Sequence, residues 1–138
     1  MLRYLLDTNV LSEPMKSAPN PRLVKRVESK QGEMATCAMV WHELRFGCER
    51  LPPSRRRSAI AAYLDEIVRP AFPILPYDEA AAAWDARARA RLAKSGRYPP
   101  ATDAQIAAVA ATNDLILVTA NARDFRRFKG LQVDDWSR

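Results

Sequence analysis

Four acidic residues spread along the chain, Asp7, Glu43, Asp103 and Asp124, are the side chains whose types and surroundings suggest chemistry. Asp7 closes the apolar run "LRYLL" and is followed at once by Thr8 and Asn9. An aspartate at a strand end has an ordinary explanation, because Asp is a good turn and helix N-cap residue. Glu43 is harder to place. It falls three residues after Val40 and four before Gly47, inside the apolar series Val40, Leu44, Gly47 and Leu51 of a predicted helix, and so is expected to face the sheet. Asp103 heads a similar stripe with Ile106, Ala107 and Ala110. Plainer readings stand beside these. Asp103 would gain roughly 0.3 to 1 kcal/mol from the helix dipole as a first-turn acid, and Glu43 could form a buried ion pair with Arg45 or His42. "NARD" has the spacing of a capping box linking Asn121 and Asp124, which does not stop Asp124 from presenting an oxygen to an ion.

Gathered in one place, these carboxylates would be in electrostatic conflict. Two of them about 5 Å apart repel by roughly 3 kcal/mol at an effective dielectric of about 20. A divalent cation removes that conflict, and an oxygen-only donor set favours Mg²⁺, with Mn²⁺ as a substitute, over zinc. Such an ion activates a water and neutralises charge developing on a phosphodiester; a second ion would also stabilise the leaving oxygen. Cys37 and Cys48 have neither CxxC spacing nor a nearby ligand histidine and read as small core residues. His42 adjoins Glu43 but points about 100° away around the helix, which sets it aside as a general base.

The elements that must position these acids alternate between strand and helix. Residues 2–6 read as a strand with too little alternation to be half exposed, as in a parallel sheet covered on both sides. Helices are expected at 8–15, 21–30, 38–51, 54–68, 78–95 and 102–113, the fourth closed by Pro70 and the fifth stopped by Gly96, with a short helix after Asn121. In the fifth, Trp84, Ala88 and Leu92 form the expected inward stripe. Further strands are expected at 33–37, around "FPIL", at "LILVT" and at "LQV". The pattern predicts an α/β fold with a short parallel sheet flanked by helices. Its binding crevice would lie beyond the C-terminal strand ends, where Asp7, Asn121 and Asp124 fall.

At 138 residues the chain is expected to form one domain spanning 1–138. Apolar residues at 48% and charged residues at 28% give the balance of a globular protein rather than a disordered one. No apolar run approaches the roughly 18 residues of a membrane span, and the N-terminus lacks the zones of a signal peptide, so a cytoplasmic protein is expected. A net charge of +6 and a pI near 9.7 favour a polyanionic partner. The positive residues recur in groups, among them Arg55 to Arg57 and Arg123, Arg126, Arg127 and Lys129.

"LLDTNVLSE", the glutamate in "MVWHELRFG", "TDAQIAAVA" and "LILVTANARDF", in this order and with these separations, resemble the PIN-domain ribonucleases, and among them the VapC toxins. The resemblance covers essentially the whole chain. It implies the PIN fold and a Mg²⁺-dependent endoribonuclease, held inactive by a VapB-type antitoxin that alone contacts operator DNA. It also implies a homodimer and an RNA substrate, commonly tRNA, with initiator tRNA a recurrent target. By position, Asp7, Glu43 and Asp103 match the acidic triad of the family. Asp124 is favoured as the fourth acid because Asn121, at the alternative position, cannot supply a negative charge. Thr8, Asn9, Thr119 and Asn121 match accessory positions that orient carboxylates or a metal-bound water.

Two other readings belong to different classes. A phospho-acceptor receiver domain needs an aspartate after a middle strand and a lysine after a late one, which "EMATC" and "LILVT" do not offer. A catalytically silent PIN-fold binding module, acting only within an antitoxin complex on operator DNA, would have little use for intact acids.

Overall fold

Strand β1 (Tyr4–Leu6) is buried along its whole length, as its unalternating apolar sequence requires. In the computed structural model, which describes all 138 residues, it is the middle of a five-strand sheet. The other strands are β2 (Met34–Cys37), β3 (Ile74–Leu75), β4 (Ile116–Val118) and β5 (Val133–Asp134), in the order β3-β2-β1-β4-β5. Every pairing is parallel. Leu6 lies opposite Val118, so β1 and β4 end level and the residues after them are neighbours.

Helices α1 (Thr8–Leu11), α2 (Pro21–Ser29) and α3 (Ala38–Glu49) follow the first two strands. The helix expected at 8–15 is broken, with a 3-10 turn at Glu13–Met15 after α1. Asn20 caps α2 by accepting from the Arg22 and Leu23 N–H groups, and Ser54 caps α4 (Arg55–Tyr63) by accepting from the Arg57 N–H. Pro70 does not close this helix at 68. The backbone widens to a π-helical turn over Leu64–Val68 and continues as α5 (Arg69–Ala71). A widened turn before a proline fits the missing N–H and the bulk of the ring.

Helix α6 (Glu79–Lys94) ends where Gly96 takes φ 73°. There the Gly96 N–H donates to the Ala93 carbonyl and the Arg97 N–H to the Leu92 carbonyl, a Schellman closure. Helix α7 (Ala101–Thr112) packs against α6, α3 and β4, and its Ala104, Ile106, Ala107, Ala108, Val109 and Ala110 are all buried. Small side chains allow it to be buried almost all round. The short α8 (Ala122–Phe125) follows β4. Trp136, only 1% exposed, seals the far edge of the core edge-on to Tyr4, with ring centroids 4.9 Å apart.

The inward stripe of α6 differs from expectation. Ala81, Asp85, Ala88 and Leu92 are the buried positions, while Trp84 is half-buried beside Phe128. The buried Asp85 carboxylate accepts from the Tyr77 hydroxyl at 2.7 Å and from Arg89 Nε at 2.7 Å. Arg89 also donates to the Ala101 carbonyl at 2.9 Å, so this polar group ties α6 to the first residue of α7.

Candidate active site

The topology draws the acids to one end of the sheet. Asp7 leaves β1, α3 leaves β2 directly, and α8 follows the turn after β4. Helix α7 feeds back into β4, so its N-terminus, with Asp103 in the first turn, returns to the C-terminal strand ends. Adjacent strand termini in such a sheet form a natural crevice.

Asp7 is only 6% exposed and its carboxylate is held from three directions. Oδ1 accepts from the Thr8 N–H at 2.8 Å; Oδ2 accepts from the Thr119 hydroxyl at 2.7 Å and from Asn9 Nδ2 at 3.4 Å. Asn9 spans the gap between the two turns, since its Oδ1 accepts from the Ala120 N–H at 3.0 Å while Nδ2 also reaches Thr119 Oγ1. Thr119 Oγ1 accepts in turn from the Asn121 N–H at 3.0 Å. Thr8, Asn9 and Thr119 therefore form a clip around one carboxylate.

The other acids stand on the rim. Glu43 is exposed, contrary to the expectation that it faces the sheet. The buried residues of α3 are Val40, Leu44 and Cys48 at strict four-residue spacing, which turns Glu43 about 100° outward. It is not paired with Arg45, which bonds Asp65 and Glu49 instead; its Oε2 accepts the Thr8 hydroxyl at 3.0 Å. Asp103 is half-buried, and Asp124 is exposed in the first turn of α8. The capping box does not form. Asn121 sits at φ −101°, ψ 41° and makes no side-chain cap, engaging only through its backbone.

The charges of the four acids act on one another. Burial raises the Asp7 carboxyl above its ordinary 3.8; the Thr119 and Thr8 hydrogen bonds oppose this, and Glu43 adds to it. Asp103 is also raised, by burial first and then by Asp7, with Asp124 adding and Arg127 opposing. Burial carries the Cys37 thiol up to about 12, so no thiolate is available beside the acids.

This donor set fits a hard divalent ion. Its side-chain donors are oxygens and its two innermost acids are disfavoured as anions. No three of these side chains converge into a ready-made cage. Arg127 was visible in the sequence only as one of a basic group. Its guanidinium lies 3.9 Å from Asp103 Oδ2.

Residues 4–131 match the PIN domain family. The chain is 36% identical to the tRNA(fMet)-specific endonuclease VapC of Shigella flexneri over 138 residues, covering 99% of this chain and 100% of that one. Among solved structures, the DNA-bound VapBC from Salmonella typhimurium superposes with a TM-score of 0.87 at 29% identity, covering 99% of both chains. A structure of FitAB bound to an IR36 DNA fragment gives a TM-score of 0.88 at 28% identity, covering 98% of this chain and 96% of that chain.

Proposed function

This chain belongs to the PIN-domain family and, within it, to the VapC ribonucleases, and on that premise we propose that it is a Mg²⁺-dependent endoribonuclease, the toxin of a type II toxin–antitoxin pair. The observation that carries the reading is the clip of Thr8, Asn9 and Thr119 around Asp7, beside three further acids. In this reading residues 1–138 act as one PIN domain in the cytoplasm.

Asp7 and Asp103 are assigned as the principal ligands of Mg²⁺, for which Mn²⁺ substitutes. Glu43 binds directly or through a water, and Asp124 completes the negative rim. When bound, the ion supplies an activated water and neutralises charge on the scissile phosphodiester. The residues of the chain do the rest. Thr119 and Asn9 fix the Asp7 oxygens, Thr8 holds Glu43 toward the same space, and the Asn121 N–H keeps the Thr119 hydroxyl aimed at Asp7. Basic side chains around the crevice would track the RNA backbone and make binding salt-sensitive.

The names of the relatives support tRNA as the substrate class, with initiator tRNA the first candidate. The VapBC and FitAB complexes support a VapB-type antitoxin as partner, with operator DNA reached through the antitoxin. A homodimer is the expected assembly. The test is incubation of the purified chain with total tRNA in Mg²⁺, with and without EDTA, alongside Asp7→Asn. Specific cleavage that needs both the metal and Asp7 supports the reading. An intact tRNA pool, with wild-type and variant indistinguishable, identifies a binding module instead.

A further inference from the structure

We propose that Arg127 is a resident counter-cation of the acidic site, occupying the Asp103 side until a divalent ion displaces it, and that it thereby sets the metal affinity of the chain. The inference rests on the metal reading of Asp7 and Asp103 given above.

Arg127 has an unusual combination of features. Its Nη2 lies 3.9 Å from Asp103 Oδ2, near enough for ionic attraction but beyond hydrogen-bond reach. Its Nε is buried and has no hydrogen-bond partner. The guanidinium carbon lies 5.5 Å from the centre of the Phe128 ring, which supports the group from one side. Arg89 meets Asp85 at 2.7 Å and Arg45 meets Asp65 at 3.0 Å, whereas Arg26 and Arg138 stand 4.0 and 3.7 Å from Asp134 and Asp135; Arg127 differs from these in that its standing off goes with a buried Nε left without a partner. Buried donors are almost always satisfied. An arginine that leaves one unused and stands off from its only carboxylate is held there by the charge of the cluster rather than by a fitted bond.

Such a cation has two effects. Without metal it offsets the repulsion among Asp7, Asp103 and Asp124, so the acids can stay together. With metal it competes, because a divalent ion bound to Asp103 at about 2.1 Å would place two positive groups within a few ångströms of each other. At 26% and 30% exposure the Arg127 and Asp103 side chains are too sheltered for water to screen this fully. Binding of the ion must therefore move or outweigh the guanidinium. The neighbouring Arg126 is exposed and provides a control of equal charge.

The experiment measures Mn²⁺ affinity directly, from the free-ion signal in electron paramagnetic resonance, for wild type, Arg127→Met, Arg127→Lys and Arg126→Met. Methionine keeps an apolar stem on Phe128 while removing the charge. Arg127→Met is expected to bind Mn²⁺ roughly 3- to 10-fold more tightly, in line with loss of a partly sheltered ionic competitor. Arg127→Lys and Arg126→Met should stay close to wild type. Damage to the fold would weaken binding, so a gain cannot come from it. Should wild type bind Mn²⁺ and Arg127→Met bind no more tightly, or Arg126→Met gain as much, the counter-cation role is overturned while the metal site stands. A wild type that binds no Mn²⁺ removes the metal reading and this role together.

Discussion

The Thr119 hydroxyl donates to Asp7 Oδ2 at 2.7 Å across 112 residues of chain, and both side chains are buried where the two central strands end. Thr119 Oγ1 itself accepts from the Asn121 N–H, so its proton is committed to the carboxylate. This bond opposes the upward pull of burial on Asp7. Thr119→Val, which keeps the shape and removes the hydroxyl, should destabilise the fold by about 1–3 kcal/mol and reduce RNA cleavage, while Thr119→Ser retains most of both. Thermal melts and cleavage rates of the two variants check this. Wild-type activity in Thr119→Val would show that the clip does not matter to the reaction.

Asp7→Asn and Asp103→Asn should each lower cleavage by more than about 100-fold, beyond the range typical of outer-shell metal partners. Glu43→Gln should fall short of that loss, because Glu43 stands exposed on the rim. Single-turnover rates at saturating Mg²⁺ rank the three. A Glu43→Gln enzyme as inactive as Asp7→Asn would place Glu43 among the inner ligands.

The raised carboxyls of Asp7 and Asp103 tie stability to pH. A carboxyl raised in the folded state contributes stability that is complete below its ordinary 3.8 and is lost as pH rises through the raised folded value. In EDTA at neutral pH, Asp103→Asn should therefore melt a few degrees above wild type, with the gain fading as pH falls toward 4. Added Mg²⁺ should stabilise wild type and not the variant. Calorimetry across pH, with and without metal, reads both effects.

Glu13 behaves in the opposite sense. It is 7% exposed, and its carboxyl is held below its ordinary 4.5 first by the Asn20 N–H and then by Lys16. Asn20 in turn caps α2. A lowered acid contributes stability above its unfolded value that is lost as pH falls through the folded one. Glu13→Gln should thus be less stable than wild type at pH 7 and approach it on acidification below 4.5. Paired acid titrations followed by circular dichroism would show whether the two curves converge.

Arg89→Met should strand the buried Asp85 carboxylate and release the Ala101 carbonyl at the start of α7. Removing one partner of a buried pair typically costs about 3–5 kcal/mol; the half-exposed Arg89 places this pair toward the lower end. Asp85→Leu combined with Arg89→Met should recover much of the loss, so the double variant should be more stable than Arg89→Met alone. Strict additivity of the two single effects would contradict the pairing.

How far the sequence foretold this depended on how local each feature is. The unalternating run before Asp7 announced a buried strand of a parallel sheet, though not its central place, and the Gly96 stop of α6 was found where the glycine stood. The facing of α3 failed through one residue. Gly47 and Cys48 both suit an inward position, and choosing the first rotates Glu43 from rim to core. Alanine suits any face, so α6 gave no stripe clear enough to reveal Asp85 as its buried member. The "NARD" spacing matched a capping box, but Asn121 lacks the backbone angles to cap. The union of Asp7 with Thr119 depends on strand order, and the distinction of Arg127 from its basic neighbours depends on tertiary position; neither is written in any short stretch.

Strand order also governs when the pocket comes into being. Asp7 and Thr119 are separated by 112 residues, and β1 gains its β4 neighbour only once both segments are free to fold. Long-range pairings of this kind form late. Any folding intermediate in which β1 and β4 are still apart lacks the finished acidic pocket, so the site is a product of the last long-range step rather than of any local one.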